Sequence, residues 1–495
     1  MGIVFRQSIK STIAIGIGAI LGALFTYICS FSLSKQELGF LTNYIYLAAV
    51  FQSVVLLGTG TLVQVYTQRY AAGDVRRKAL ITIGVGVTIG ASVLFAILFY
   101  GLQDIIISRY QQQDRDLLIK YFPWMPLLTF IWAFTTFFEL YLVSQSKIAI
   151  SVFMREVLLR IFNIILIALY YYKAISYNAL ILGSIFAYII PAISVFYIAA
   201  KTKGFGFTGN LKIFTRQEYR EMIHFAWYHL LLIVSLNFLG YIDSLMLAPL
   251  GKEGMASLAA YRWAIFIVAI MVIPYRAITA SSFVSLNQAY IDNDNPRLVD
   301  LFQRAGINLL VVGVAMFVII ASNLDNVVRI LPEGYEVIKP ITIIMMLGRL
   351  VDMATGLNSD VISISKHYKF NFRISIVLLI TITVFNRIFI PQYGVYGAAW
   401  GTAIALILFN VLKMWFLWYK MRIVPFTGKS PLVLASAILP AMVGYYLPYI
   451  GNPITDSFTR TALIIIIYLI MLVLLKPSQD LINFLENIKK NKKLY

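Results

Sequence analysis

The sequence predicts an all-α integral membrane protein with about fourteen spanning helices. Three observations carry this prediction. First, 60% of the 495 residues are hydrophobic and only 13% are charged, against roughly a quarter charged in a soluble domain. Second, apolar runs of roughly 20 residues, long enough to cross the hydrocarbon core, recur from end to end. Third, with the N-terminus placed inside, nearly three times as many of the 41 Lys and Arg fall on the cytoplasmic side as on the outer side. Shifting the topology by one span would invert that bias, which follows the positive-inside rule. A β-barrel would alternate apolar and polar residues; the run ALITIGVGVTIGASVLFAILFYGL (79–102) does not.

The expected spans are 11–33, 38–61, 79–102, 121–143, 157–175, 178–200, 226–248, 254–280, 305–323, 340–364, 373–390, 394–418, 431–448 and 458–475. Arg6 and Lys10 precede the first, and no small-residue cleavage site follows, so it reads as an uncleaved span rather than a signal peptide. Both termini are then cytoplasmic. The outer connection 103–120 is charge-balanced and holds no domain. The inner connection 201–225 opens with KGFGFTGN, a Gly-rich linker. It lacks the Gly-Lys-Ser/Thr of a phosphate loop. The tail places Leu481, Ile482, Leu485 and Ile488 on one helical face ahead of four lysines, either a basic interfacial helix or a solvated tail.

Composition narrows the chemistry. One cysteine, Cys29, excludes an intramolecular disulfide and argues against redox chemistry. His224, His229 and His367 sit near cytoplasmic helix ends, with no converging ligand set for a metal. No cofactor is expected. No hydrolytic or glycosyl-transfer constellation is visible, so an enzyme is not the leading expectation. The net charge of +19 reads as basic loops facing anionic lipid rather than a nucleic-acid surface.

The helix starts repeat. Spans 1–6 begin near 11, 38, 79, 121, 157 and 178; spans 7–12 begin near 226, 254, 305, 340, 373 and 394, at near-constant spacing. Six spans per copy is an even number, so both copies face the same way, a parallel repeat. KQELGFLTNY (35–44) and GKEGMASLAAY (251–261) occupy equivalent turns. The expected organisation is an N-lobe (1–200), a cytoplasmic linker (201–225), a C-lobe (226–420), and a final helix pair with a basic tail (421–495). Such folds place a substrate cavity between lobes that rock to alternate access.

The 6+6+2 arrangement, LSKQELGFL (33–41), YIDSLMLAPLG (241–251) and YGVYGAAWGTAIA (393–405) together resemble the polysaccharide-biosynthesis exporters. These are the lipid-linked oligosaccharide flippases of the multidrug/oligosaccharidyl-lipid/polysaccharide (MOP) superfamily. The resemblance covers nearly the whole chain and implies a MATE-like fold. It also implies transfer of an undecaprenyl-pyrophosphate-linked glycan from the inner to the outer leaflet of the bacterial cytoplasmic membrane, for O-antigen, capsule or a related polysaccharide. Glycan polymerase machinery is then a candidate partner, beside the lipid-linked oligosaccharide and membrane lipid. No motif carries over a functional residue.

Such a substrate needs fixed positive charge for its phosphates and polar side chains for its sugars. Arg262 lies roughly 12 Å below the outer end of span 8, and Asp243 roughly 8 Å below that of span 7. They form either a cavity-facing pair or a structural clamp. Arg349 and Asp352 lie three residues apart, mid-span, on one face of span 10. With Thr355, Asn358, Ser359 and Asp360 they make span 10 the most polar, and the best candidate for cavity lining. Arg276 and Arg160 are candidates for an inner vestibule. Glu139, Arg155 and Lys413 read first as snorkelling residues near the cytoplasmic surface. Asp352 or Asp243 could bind a coupling proton or sodium ion. Pro274 marks a bent or gating element.

Two other readings stand beside the flippase. A multidrug or cation antiporter of the same fold would want buried carboxylates, especially in the first lobe. A membrane glycosyltransferase or polymerase would want catalytic outer loops, which the short connections disfavour.

Overall fold

The computed structural model describes residues 2–478, so the expected tail helix lies outside the described residues. Among the described residues there is helix and no strand. Eleven helices are long and apolar enough to cross a membrane, or twelve if one bent pair counts as a span. The remaining expected spans, 157–175 and 431–448, are also helical. The first is interrupted, and the second is a shorter apolar helix, Ser430–Tyr446.

Tertiary packing divides the chain into two compact units that meet in sequence at Ala259 and Ala260. The first begins with α1 (Gly2–Ser32), α2 (Lys35–Val55), α3 (Thr59–Tyr66) and α4 (Val75–Gly101). The amphipathic α5 (Gln103–Ser108) and α6 (Gln112–Tyr121) follow, then α7 (Met125–Ser144) and α8 (Ile148–Phe153). A π-helical turn (Met154–Leu158) leads into α9 (Leu159–Tyr171), and α10 (Tyr177–Phe186), α11 (Ile189–Ala200) and α12 (Arg216–Leu250) complete the series. From α13 (Ala256–Ile291) the chain enters the second unit. There it forms α14 (Asn295–Arg329), α15 (Ile338–Ala354), α16 (Asn358–Ile364), α17 (Lys369–Tyr393), α18 (Val395–Met421), α19 (Ser430–Tyr446) and α20 (Pro453–Leu475).

Several helices outrun the apolar segments that announced them, because their caps lie in polar sequence. Thr215 and Glu218 form a capping box that starts α12 within the expected linker. Asp294 caps α14 well before the apolar run near 305. Conversely, expected span 2 is cut by Gly58, whose φ of +73° ends one helical segment before the next begins. A side chain on Gly58 would collide with the Ala226 carbonyl of α12. The first unit's core gathers Phe137, Phe138, Tyr141 and Leu142 of α7 with Ile81 of α4 and Val195 and Ala199 of α11.

The repeated turn motifs meet within the first unit. Asp114 of α6, fully buried, accepts a hydrogen bond from the Met255 amide at 2.9 Å and one from Gln36 Nε2 at 3.0 Å. Gln113 Nε2 donates to the Glu253 carbonyl at 3.0 Å. The Gly39 face of α2 lies directly on the Met255 carbonyl, leaving no room for a Cβ. Overpacking at such a contact costs about 1–3 kcal/mol. Gly39→Ala is therefore expected to lower the melting temperature of the detergent-purified protein. An unchanged melting curve would mean that this contact is not tight.

Candidate functional site

The most polar membrane helix of the second unit is broken. Gly356, at φ +69°, takes the left-handed conformation that ends α15, and its amide hydrogen-bonds the Met353 carbonyl at 3.1 Å. The axis turns by 43° between α15 and α16. A Cβ on Gly356 would lie 3.1 Å from the Gly306 Cα of α14, so the break is pressed against a second backbone. Expected span 10 is thus two helices. Irregular backbone at membrane depth is tolerated where protein or a water-filled cavity supplies hydrogen bonds.

Polar side chains gather at the break. Arg349 Nη1 donates to Asp352 Oδ2 at 2.8 Å, as the three-residue spacing predicted. Asn410 of α18 donates through Nδ2 to the other carboxylate oxygen, Asp352 Oδ1, at 3.0 Å. Thr355 Oγ1 donates to Asn410 Oδ1 at 3.2 Å. Lys413, one turn further along α18, is 3% exposed, donates to Ser359 Oγ and places Nζ 3.5 Å from the Phe409 ring centroid. It does not snorkel. Asn371 of α17 donates to the Ser359 carbonyl at 2.6 Å and to Ser363 Oγ at 2.7 Å. Tyr275, beside Pro274 in α13, is within electrostatic reach of Arg349, Asp352 and Asp360.

Not every polar atom there is satisfied. Asn358 is 2% exposed, and neither its amide nitrogen nor its amide oxygen has a hydrogen-bond partner among the described residues. Arg349 Nε is also buried without one. Leaving a buried donor or acceptor unmatched costs about 1–3 kcal/mol. The site therefore has hydrogen-bonding capacity that its own side chains do not use.

The other candidates are more scattered. Arg276 is exposed on α13, next in sequence to Tyr275. Arg262 of α13 and Asp243 of α12 are each half-buried and fall in different compact units. Neither Asn410 nor Lys413 stood out as a site residue in the sequence. Their three-residue spacing in an otherwise apolar α18 was the available signal.

A second charged network, in the first unit, also departs from the sequence reading. Glu139 of α7, Arg155 and Glu156 of the π-helical turn, and Arg160 of α9 bond to one another. Arg155 Nη1 lies 2.6 Å from Glu139 Oε2, Arg155 Nε 3.3 Å from Glu156 Oε1, and Arg160 Nη2 2.7 Å from Glu156 Oε2. Arg160 also donates to the Gly18 carbonyl of α1. These side chains engage each other instead of reaching separately for the membrane surface.

No family model matches the sequence, and no curated protein matches it either. Solved structures do resemble it. One is the lipid II flippase MurJ in an inward closed conformation, with a TM-score of 0.75 at 15% identity, over 94% of this chain and 98% of that one. Another is a multidrug resistance MATE family transporter of the MOP superfamily in an inward-facing conformation. Its TM-score is 0.63 at 16% identity, over 83% of this chain and 98% of that one. The outward-facing conformation of such a transporter gives 0.56 at 14% identity, over 85% and 95%. The chain shares its fold with these solved structures. At these identities the likeness establishes architecture.

Proposed function

We propose that the protein is a flippase for undecaprenyl-pyrophosphate-linked oligosaccharides. It moves repeat units from the inner to the outer leaflet of the bacterial cytoplasmic membrane for O-antigen, capsule or a related polysaccharide. The observation that carries this reading is the polar break between α15 and α16. A half-buried Arg349 and a buried Lys413 flank it, and its Asn358 amide has unused hydrogen-bonding capacity. Ionisable groups in a membrane helix are costly and are functional candidates by default. Guanidinium and ammonium groups supply the fixed charge that a pyrophosphate needs, and amides and hydroxyls suit a sugar. The Arg349–Asp352 pair holds the guanidinium in place, while Asn410 occupies the second carboxylate oxygen.

The charge distribution of α13 supports an anionic substrate. This helix carries Arg262 and Arg276 and no carboxylate. A MATE-like cation antiporter would want the opposite balance. In the proposed cycle Arg276 and Arg262 guide the phosphates, and Arg349 and Asn358 contact the headgroup. Both termini are cytoplasmic, and glycan polymerase machinery takes the product on the far side. Energy comes from a proton or sodium gradient or from substrate flux.

Deleting the gene in a strain with no redundant flippase is expected to strand the lipid-linked glycan in the inner leaflet and remove the surface polymer. Normal surface glycan in that strain would overturn the proposal. Lost tolerance to cationic drugs with intact surface glycan would favour the antiporter.

A further inference from the structure

The first unit holds a buried carboxylate that the proposed substrate path does not use. Glu139 is 7% exposed, in the C-terminal half of α7. One oxygen, Oε2, accepts from Arg155; the other, Oε1, is buried without a hydrogen-bond partner among the described residues. Arg155 is not committed to Glu139 alone, because its Nε also faces Glu156 Oε1 at 3.3 Å. Two carboxylates on different elements thus share one guanidinium.

The element that presents Arg155 is unusual. Residues 154–158 form a π-helical turn, an arrangement frequently found at functional sites. It is held from the α1 side by close backbone contact. A Cβ on Gly18 would press on the Glu156 carbonyl, and one on Gly22 would lie 3.0 Å from Arg160 Nη1. The charged groups acting on Glu139 are Arg155 and Glu156. Arg155 additionally feels Tyr241 of α12, which stacks on Tyr46 of α2 at a centroid distance of 4.7 Å. Further along α7, Arg77 of α4 donates to the Tyr141 hydroxyl at 3.4 Å.

We propose that Glu139 is a proton-binding site, with Arg155 as the counter-charge that is released toward Glu156 when the proton arrives. A hydronium ion of the aqueous phase supplies the proton: its O–H bond breaks as the Glu139 carboxylate O–H bond forms, leaving a neutral acid and water. The ionised form holds α7 to the π-helical turn through a charge-assisted hydrogen bond. The neutral acid loses that attraction, while Glu156, which pairs through Oε2 with Arg160, still offers Arg155 its Oε1. Oε1 has no competing donor, so it can take the proton without displacing a bond. Arg155 is the open side of the pair, with 38% of its side chain accessible against 9% for Glu139. The site needs no glycan substrate, so its test is separate from that of the flippase reading.

The test is infrared difference spectroscopy on the full-length protein in lipid nanodiscs, stepped between acidic and alkaline pH. A protonated carboxylic-acid carbonyl band is expected at acidic pH, lost in Glu139→Gln and retained in Glu156→Gln. Arg155→Gln removes the counter-charge, and is expected to raise the pH at which the band half-appears by about one unit or more. A band that survives Glu139→Gln, or disappears in Glu156→Gln, would overturn the assignment. If Glu139→Gln does not fold, Arg155→Gln decides alone: an unmoved midpoint would overturn it.

Discussion

An Arg460→Ala protein is expected to lose about 3–5 kcal/mol of stability, the usual cost of stripping one partner from a buried ion pair. Arg460 of α20 is 7% exposed and Asp456 is fully buried. The guanidinium donates to Asp456 Oδ2 at 2.9 Å and Oδ1 at 3.0 Å, and also to the Gly444 and Leu447 carbonyls at the end of α19. Asp456 in turn accepts from Asn326 of α14 and from the Ile450 amide. One pair therefore ties the turn between α19 and α20 to α14. Removing the cation leaves a buried carboxylate without its counter-charge and takes the guanidinium donor from two carbonyls. Thermal unfolding in detergent should show a large drop, with a parallel loss of monodisperse protein. Transport per folded molecule should change little, because none of these residues belongs to the proposed substrate site. A melting temperature within a degree of wild type would mean that solvent already screens the pair.

Arg349→Ala is expected to do the reverse. Its side chain is 31% accessible and makes one ion pair, so folding should suffer modestly. Asp352 keeps its Asn410 partner. If the guanidinium meets pyrophosphate during translocation, its loss should lower the transport rate per folded protein at least about tenfold, or about 1.4 kcal/mol in barrier. Arg349→Lys should recover only part of that rate, since an ammonium is a point charge without the guanidinium fork. Equal loss of folded protein and transport would identify the pair as structural. Gly356→Val probes the same site through the backbone. A β-branched residue is strained at φ +69° and also meets Gly306, so the break should deform and transport should fall even where protein is recovered.

The architecture was legible because hydrocarbon thickness dictates the length of apolar runs, and each expected span is helical. Helix ends were less legible. Capping boxes such as Thr215 with Glu218 extend helices into polar sequence that hydropathy excludes. The polarity of 349–360 was plain, and so was the Arg349–Asp352 spacing. The break at Gly356 was not, since a lone glycine is tolerated in many membrane helices; only its approach to Gly306 makes the left-handed turn intelligible. Asn410 and Lys413 could not be assigned because a polar residue in an apolar helix does not reveal which neighbour it meets. The Glu139–Arg155 pair was hidden for a similar reason. Hydropathy starts expected span 5 at 157 and leaves Arg155 and Glu156 in a loop, whereas α8 begins at Ile148 and a π-helical turn carries both.

The flippase assignment is tested most directly in vesicles. The purified full-length protein would be reconstituted with a fluorescent undecaprenyl-pyrophosphate-linked oligosaccharide, and a membrane-impermeant quencher would report its arrival in the opposite leaflet. Wild type is expected to speed that transfer well above protein-free vesicles, and Arg349→Ala to remove most of the gain. Transfer no faster than in protein-free vesicles would contradict the assignment, most clearly if the same folded protein accumulates a cationic dye against a proton or sodium gradient.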